Sequence, residues 1–274
     1  SVMQDFGDDG SFGDAKITFG NVGGVMDIYV GTDGSEVDAI DDITPTAFEE
    51  ANGSGSGTYQ DVGGLAAEMG IGFKASLPIL GSVSGQYIPR ADGSESADKT
   101  ASGSLGTKGA GTELVVKTAM GDLPFVGDFL GGNTLTVGYA EEEMSQAANT
   151  SDRLELTAAL TGSIGNLSYG YQVEHIDAGQ TAAATDAVFY RVDSIGLAYA
   201  VNDALSISYQ DYENTYKKRG SETGDGITQD ASGFQAAYTM GGATLRISDV
   251  SVDNSGGTAG NSEDRTEISL LMAF

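Results

Sequence analysis

The chain has no cysteine, no tryptophan and one histidine in 274 residues, and its 13 Lys and Arg are set against 40 Asp and Glu. Without cysteine there is neither a disulfide framework nor a thiolate metal site, which suits export through an oxidising compartment. The shortage of basic residues leaves a formal net charge of −27. That balance argues against nucleic-acid binding, which needs Lys and Arg clustered on one face, and it favours cations as partners. No stretch approaches the ~18 consecutive apolar residues of a transmembrane helix. This excludes helical spans only, because barrel strands give a much weaker hydropathy signal. A serine triad would have to use His175, and no nucleophile elbow lies beside it. The expectation is a protein that is not an enzyme. His175 itself, next to Glu174 and near Asp177, reads as a residue at a strand end rather than a metal ligand.

Glycine, in contrast, is abundant. Its 41 copies are roughly twice the average usage of about 7%. They follow no three-residue period, so a collagen-like chain is out. They fall between short alternating runs, where turns need φ > 0. Hydrophobic content is 39%, low for a soluble domain with one dry core but suited to strands with one face in lipid and one in water.

The alternating runs recur to the end of the chain. Met272, Leu270, Ile268 and Thr266 share one face, and Leu271, Ser269, Glu267 and Arg265 the other. Leu245 and Ile247 alternate with Arg246 and Ser248, and Leu205, Ile207 and Tyr209 with Ser206, Ser208 and Gln210. Leu167, Tyr169, Tyr171 and Val173 alternate with Ser168, Gly170, Gln172 and Glu174, and Leu154, Leu156 and Leu160 with Arg153, Glu155 and Thr157. A period of two with small or charged residues on the second face describes strands half in lipid and half in water. The links between runs alternate as well. Gly241-Gly242, Asn202-Asp203 and Gly165-Asn166 are tight turns, whereas 253–264, 218–230, 179–187 and 89–111 are long and polar. Short turns at one end and long loops at the other thread outer-membrane barrels. The link 121–132 breaks this rule, being a dozen residues long where a turn is expected, and points to a contact with a neighbouring subunit. Pro45, Pro78, Pro89 and Pro124 fall in links or at a strand end, where no ladder N–H is lost. The fold class expected is all-β, a transmembrane antiparallel up-and-down barrel over 1–274, with about twelve strands visible.

A terminal strand ending in Phe274, preceded by alternate apolar residues, resembles the outer-membrane insertion signal of Gram-negative barrels. The segment Phe12-Gly13-Asp14-Ala15-Lys16-Ile17-Thr18-Phe19-Gly20-Asn21 resembles the strand before the constriction loop of the general diffusion porins. The resemblance implies a barrel of about sixteen strands, a homotrimer, contact with outer-membrane lipid and lipopolysaccharide, and a third loop folded into the lumen. Here the longest link, 22–64, takes that loop's place. In the family the loop follows the fifth strand and here it follows the first that is visible, so about four N-terminal strands are expected beyond the given sequence.

That loop carries Asp27, Asp33, Glu36, Asp38, Asp41, Asp42, Glu49 and Glu50 and no Lys or Arg. Folded inward it would form a negative ring that concentrates cations; left outside it would be a solvated acidic loop. Lysines and arginines of lumen parity, Lys16, Lys74, Lys117, Arg153 and Arg246, are candidates for an opposing basic wall. The alternative pairs each with a wall carboxylate such as Glu68, Glu113 or Glu155. Tyr139, Tyr171, Tyr199, Tyr209 and Phe274 are candidates for interfacial girdles. Asp8-Asp9-Gly10 and Asp33-Gly34-Ser35-Glu36 are oxygen-rich enough for loop-bound calcium, though no full twelve-residue calcium loop is present; no other cofactor is expected. The function expected is passive, cation-preferring diffusion of small hydrophilic solutes and ions. A secreted acidic β-rich adhesin or surface-layer protein is the alternative; it would put its alternating apolar faces into a dry core.

Overall fold

The computed structural model describes residues 2–6, 12–32, 34–48, 51, 61–65, 69–89, 108–124, 127–144, 152–177, 179, 187–218 and 226–272. They form fourteen strands: β1 (Val2–Phe6), β2 (Phe12–Val22), β3 (Met26–Gly31), β4 (Gly70–Leu77), β5 (Gly81–Ile88), β6 (Lys108–Ala119), β7 (Asn133–Met144), β8 (Arg153–Ile164), β9 (Leu167–Asp177), β10 (Ala187–Ala200), β11 (Leu205–Lys218), β12 (Thr228–Met240), β13 (Ala243–Asp253) and β14 (Ser262–Met272). All belong to one sheet, each strand pairing antiparallel with its sequence neighbours in the order β1 to β14. This up-and-down order needs only local turns.

Two of these strands escaped the sequence count. β1 is short, and β3 lies inside the stretch read as the long loop. Its signal was the alternation of Ile28 and Val30 with Asp27 and Tyr29, preceded by a tight turn in which Asn21, Gly23 and Gly24 all have positive φ. The long link therefore spans 32–69 rather than 22–64, and Asp27 stands on β3, in register with Lys74. The link 120–132 folds into a 3₁₀ turn, Met120–Asp122, and a single helical turn, Gly127–Leu130. They pack so tightly that a Cβ on Gly127 would lie 2.6 Å from the Gly121 carbonyl oxygen.

Polarity is inverted relative to a soluble sandwich. Ile17, Phe19, Ile71, Leu114, Leu156, Ile195, Leu197, Phe234, Ile247 and Ile268 are exposed on the outer face. Gln86, Glu113, Glu155, Gln172, Glu174, Gln210 and Gln235 are buried on the inner one. Soluble monomers do not expose a continuous apolar band of this kind, whereas a lipid-facing wall requires it. A secreted adhesin would bury the alternating apolar faces of its strands; here those faces are exposed, and the buried apolar clusters lie on the inner side. Near the long-loop end the band is closed by tyrosines whose hydroxyls donate outward to carboxylates: Tyr139 to Glu141 (2.5 Å), Tyr171 to Asp193 (2.7 Å) and Tyr209 to Asp211 (3.1 Å). Beyond them the outer face turns acidic, with Asp193, Glu213, Asp230 and Asp253 in one cross-strand row. Tyr199 and Tyr238 sit nearer the tight turns. Amphipathic rings with one wet end suit both interfaces. Phe274 lies outside the described residues.

Candidate functional site

A loop carried into a barrel must find partners for its backbone N–H groups, because an unpaired buried donor costs about 1–3 kcal/mol. The 32–69 link meets this requirement with the wall. Val37 N–H donates to Glu113 (3.1 Å), Ile43 to Gln172 (3.1 Å), Ala47 to Ser208 (2.8 Å) and Phe48 to Gln235 (3.0 Å). At the far end of the excursion Ala51 N–H donates to Gln210 (2.5 Å). On the way back Val62 donates to Glu174 (3.0 Å), while Gly63 and Gly64 both reach Glu155 (2.9 and 2.7 Å). The segment thus runs from β6 to β12 and returns to β8, so these strands curl around it.

Its side chains are seated in the same way. Val37, Ile40 and Val62 bury against Val115, Ala140, Ile176 and Tyr190, and Ala51 against Val192, Tyr212, Ala231, Val250 and Val252. Missing side chains on the wall make room. A Cβ on Gly138 would lie 2.7 Å from the Ile40 side chain, one on Gly170 2.7 Å from Pro45, and one on Gly196 2.8 Å from the Pro45 carbonyl oxygen. Part of the glycine excess is therefore a track for the loop and not turn chemistry.

The predicted acidic residues divide into groups. Asp38 and Asp42 are exposed and Glu36 and Asp41 half-buried, all on the loop's outgoing limb. Burial, with Asp42 beside it and Asp38 and Asp61 nearby, pushes the Asp41 carboxyl up to about 7. Asp27 belongs to the wall, where it accepts the Asn21 N–H at 2.7 Å. Asp33, Glu49 and Glu50 lie outside the described residues, as does Asp8-Asp9-Gly10 of the calcium expectation.

The predicted basic residues all take inward parity, at separate places. Lys16 sits 5.2 Å from the Tyr29 ring centroid. Tyr29 in turn lies flat over Gly72, where a Cβ would come within 2.1 Å of its ring. Lys74 pairs with Glu36 of the loop at 2.8 Å, and Arg246 lies 5.4 Å from the Phe48 ring centroid. Arg153 pairs with the wall carboxylate Glu155, the alternative foreseen for such residues. Lys117 lines a cavity of about 510 Å³ beneath the loop, together with Asp27, Glu36 and Lys74.

Sequence reasoning missed Gln172, Gln210, Gln235, Glu174 and Ser208 as loop anchors, and Arg265 as a further inward cation, placed in register with Val250. Parity alone marked them as inward, but nothing in it says which inward polar group will meet a backbone.

No protein-family model matches the chain, and no curated protein matches it in sequence. Solved structures do match in fold. The chain is similar over 98% of its length to a porin refined at 1.8 Å, of which it covers 89%, at 14% identity and a TM-score of 0.62. It is similar over 96% of its length to in-vitro folded OmpT, an outer membrane protein of Vibrio cholerae, covering 78% of that chain at 13% identity and a TM-score of 0.57. Pseudomonas putida OprB matches over 93% of this chain and 70% of its own, at 11% identity and a TM-score of 0.57. Likeness at such identities carries the architecture and not the activity. The architecture is a porin-like outer-membrane β-barrel.

Proposed function

We propose that the chain forms an outer-membrane pore for passive diffusion of small hydrophilic solutes and ions, with a preference for cations. One observation carries the reading: the wall holds the 32–69 link inside the barrel, and that link presents Glu36, Asp38, Asp41 and Asp42 with no basic residue of its own. Carboxylates at a narrowing raise the local cation concentration and repel anions. Lys16, Lys74, Arg246 and Arg265 on the wall supply charge of the opposite sign and support a transverse field across the opening. Lipid and lipopolysaccharide cover the outer face, and a homotrimer is the assembly this reading expects.

The test is single-channel recording in planar bilayers under a KCl gradient. A reversal potential showing cation preference is expected, reduced in an Asp38→Asn/Asp42→Asn variant. Anion preference, or no conductance, would refute the proposal.

A further inference from the structure

Beneath the loop, on the side of the tight turns, the cavity of about 510 Å³ has a charge pattern that the cation-preferring reading does not use. Its walls are consecutive inward rows of β3 to β6. In the row nearer the loop, Asp27 stands opposite Lys74, and Lys74 pairs with Glu36 of the loop at 2.8 Å. One lysine here faces two carboxylates, which leaves the row with excess negative charge.

The row nearer the turns has the reverse character. Ser76 stands opposite Ser82, and Ser82 opposite Lys117. The Lys117 ammonium makes no hydrogen bond or ion pair among the described residues. An ammonium group with one hydroxyl on the neighbouring strand and a second one strand further along the row makes an anion-binding corner. The two rows are two residues apart along the strands, about 7 Å at the usual rise per residue. A small solute with a carboxylate at one end and an ammonium at the other matches both rows at once.

We propose that this cavity is a binding subsite for small zwitterions of the amino-acid type, with the carboxylate on Lys117 and the serine hydroxyls and the ammonium toward Asp27 and Glu36. The inference rests on the pore reading, because the subsite lies in the path a solute takes after passing the loop. It adds selectivity for a net-neutral solute class that a simple cation filter would ignore. A solute carrying only one of the two charges finds half of the complement.

The experiment uses γ-aminobutyrate as the probe, with butyrate and n-butylamine as single-charge controls. In KCl bilayers the zwitterion is expected to lower single-channel conductance in a saturable way, and the controls much less. Lys117→Gln is expected to weaken that effect by up to about fivefold, the scale of one lost ion pair. Equal block by butyrate would overturn the zwitterion assignment, and unchanged block in Lys117→Gln would overturn the site. A protein without conductance refutes the pore instead. In that case saturation-transfer NMR of γ-aminobutyrate on the detergent-solubilised protein decides the site, and the absence of transfer sinks it.

Discussion

Gln172 is the wall side chain that holds the outgoing limb of the loop at most points. Its Oε1 accepts the Ile43 N–H at 3.1 Å, and its Nε2 donates to the carbonyl oxygens of Ile40 and Asp41, both at 2.8 Å. Gln172→Leu keeps the volume nearly constant and leaves these loop backbone groups without their partner. At a net ~1 kcal/mol for each lost bond the seated loop weakens by about 3 kcal/mol. With 1.4 kcal/mol per tenfold, the unseated population should rise roughly a hundredfold. The absence of native cysteine supplies the assay. Ile40 is 1% exposed, so Ile40→Cys reacts with a charged thiol reagent only when the loop leaves the wall. When reseating outpaces modification, the labelling rate follows the unseated population. The rate in Gln172→Leu/Ile40→Cys should therefore exceed that in Ile40→Cys alone by about two orders of magnitude. Equal rates would refute the claim that wall hydrogen bonds hold the loop.

Other perturbations test other links of the argument. The raised Asp41 carboxyl, near 7, is neutral in acid and charged in base. Cation preference should decline as pH falls through about 7, and an Asp41→Asn variant should lose that step in its reversal potential. The linkage sign follows: the folded loop holds the proton more tightly than the unfolded chain, so seating is strongest at low pH and weakens as pH rises toward 7, then levels off. Labelling of Ile40→Cys should accordingly quicken over that range and reach a plateau. Gly196→Ala places a Cβ 2.8 Å from the Pro45 carbonyl oxygen, a backbone atom that cannot swing aside. Overpacking of this kind costs about 1–3 kcal/mol, read as larger and noisier single-channel conductance with the barrel still heat-modifiable on gels. Leu197→Arg puts a charge on the outer apolar band between Ile195 and Tyr199, where about 2–4 kcal/mol is expected against insertion. Folding yield into lipid vesicles should drop, whereas Gln235→Arg, on the inner face, should spare insertion and disturb the loop.

The wall is legible in the chain alone. Period-two faces assign every side chain of a strand to lipid or lumen, because the pleat leaves no third direction. Tight turns such as Gly165-Asn166 and Gly241-Gly242 then fix which end is which. Those two regularities sufficed for β4 to β14, and failed only for β1, which is short, and β3, whose Asp27 made an inward strand position look like loop. Tertiary structure alone decided where the acidic link goes. Glu113, Gln172, Glu174, Gln210 and Gln235 all accept backbone N–H groups of the link, and a backbone donor looks alike from residue to residue, so that part of the grip leaves no mark on the loop's own sequence. The seat is likewise written on distant strands as missing side chains, at Gly138, Gly170 and Gly196. Each reads locally as one more glycine in a glycine-rich chain, and becomes a track only when neighbouring strands bring these positions alongside each other.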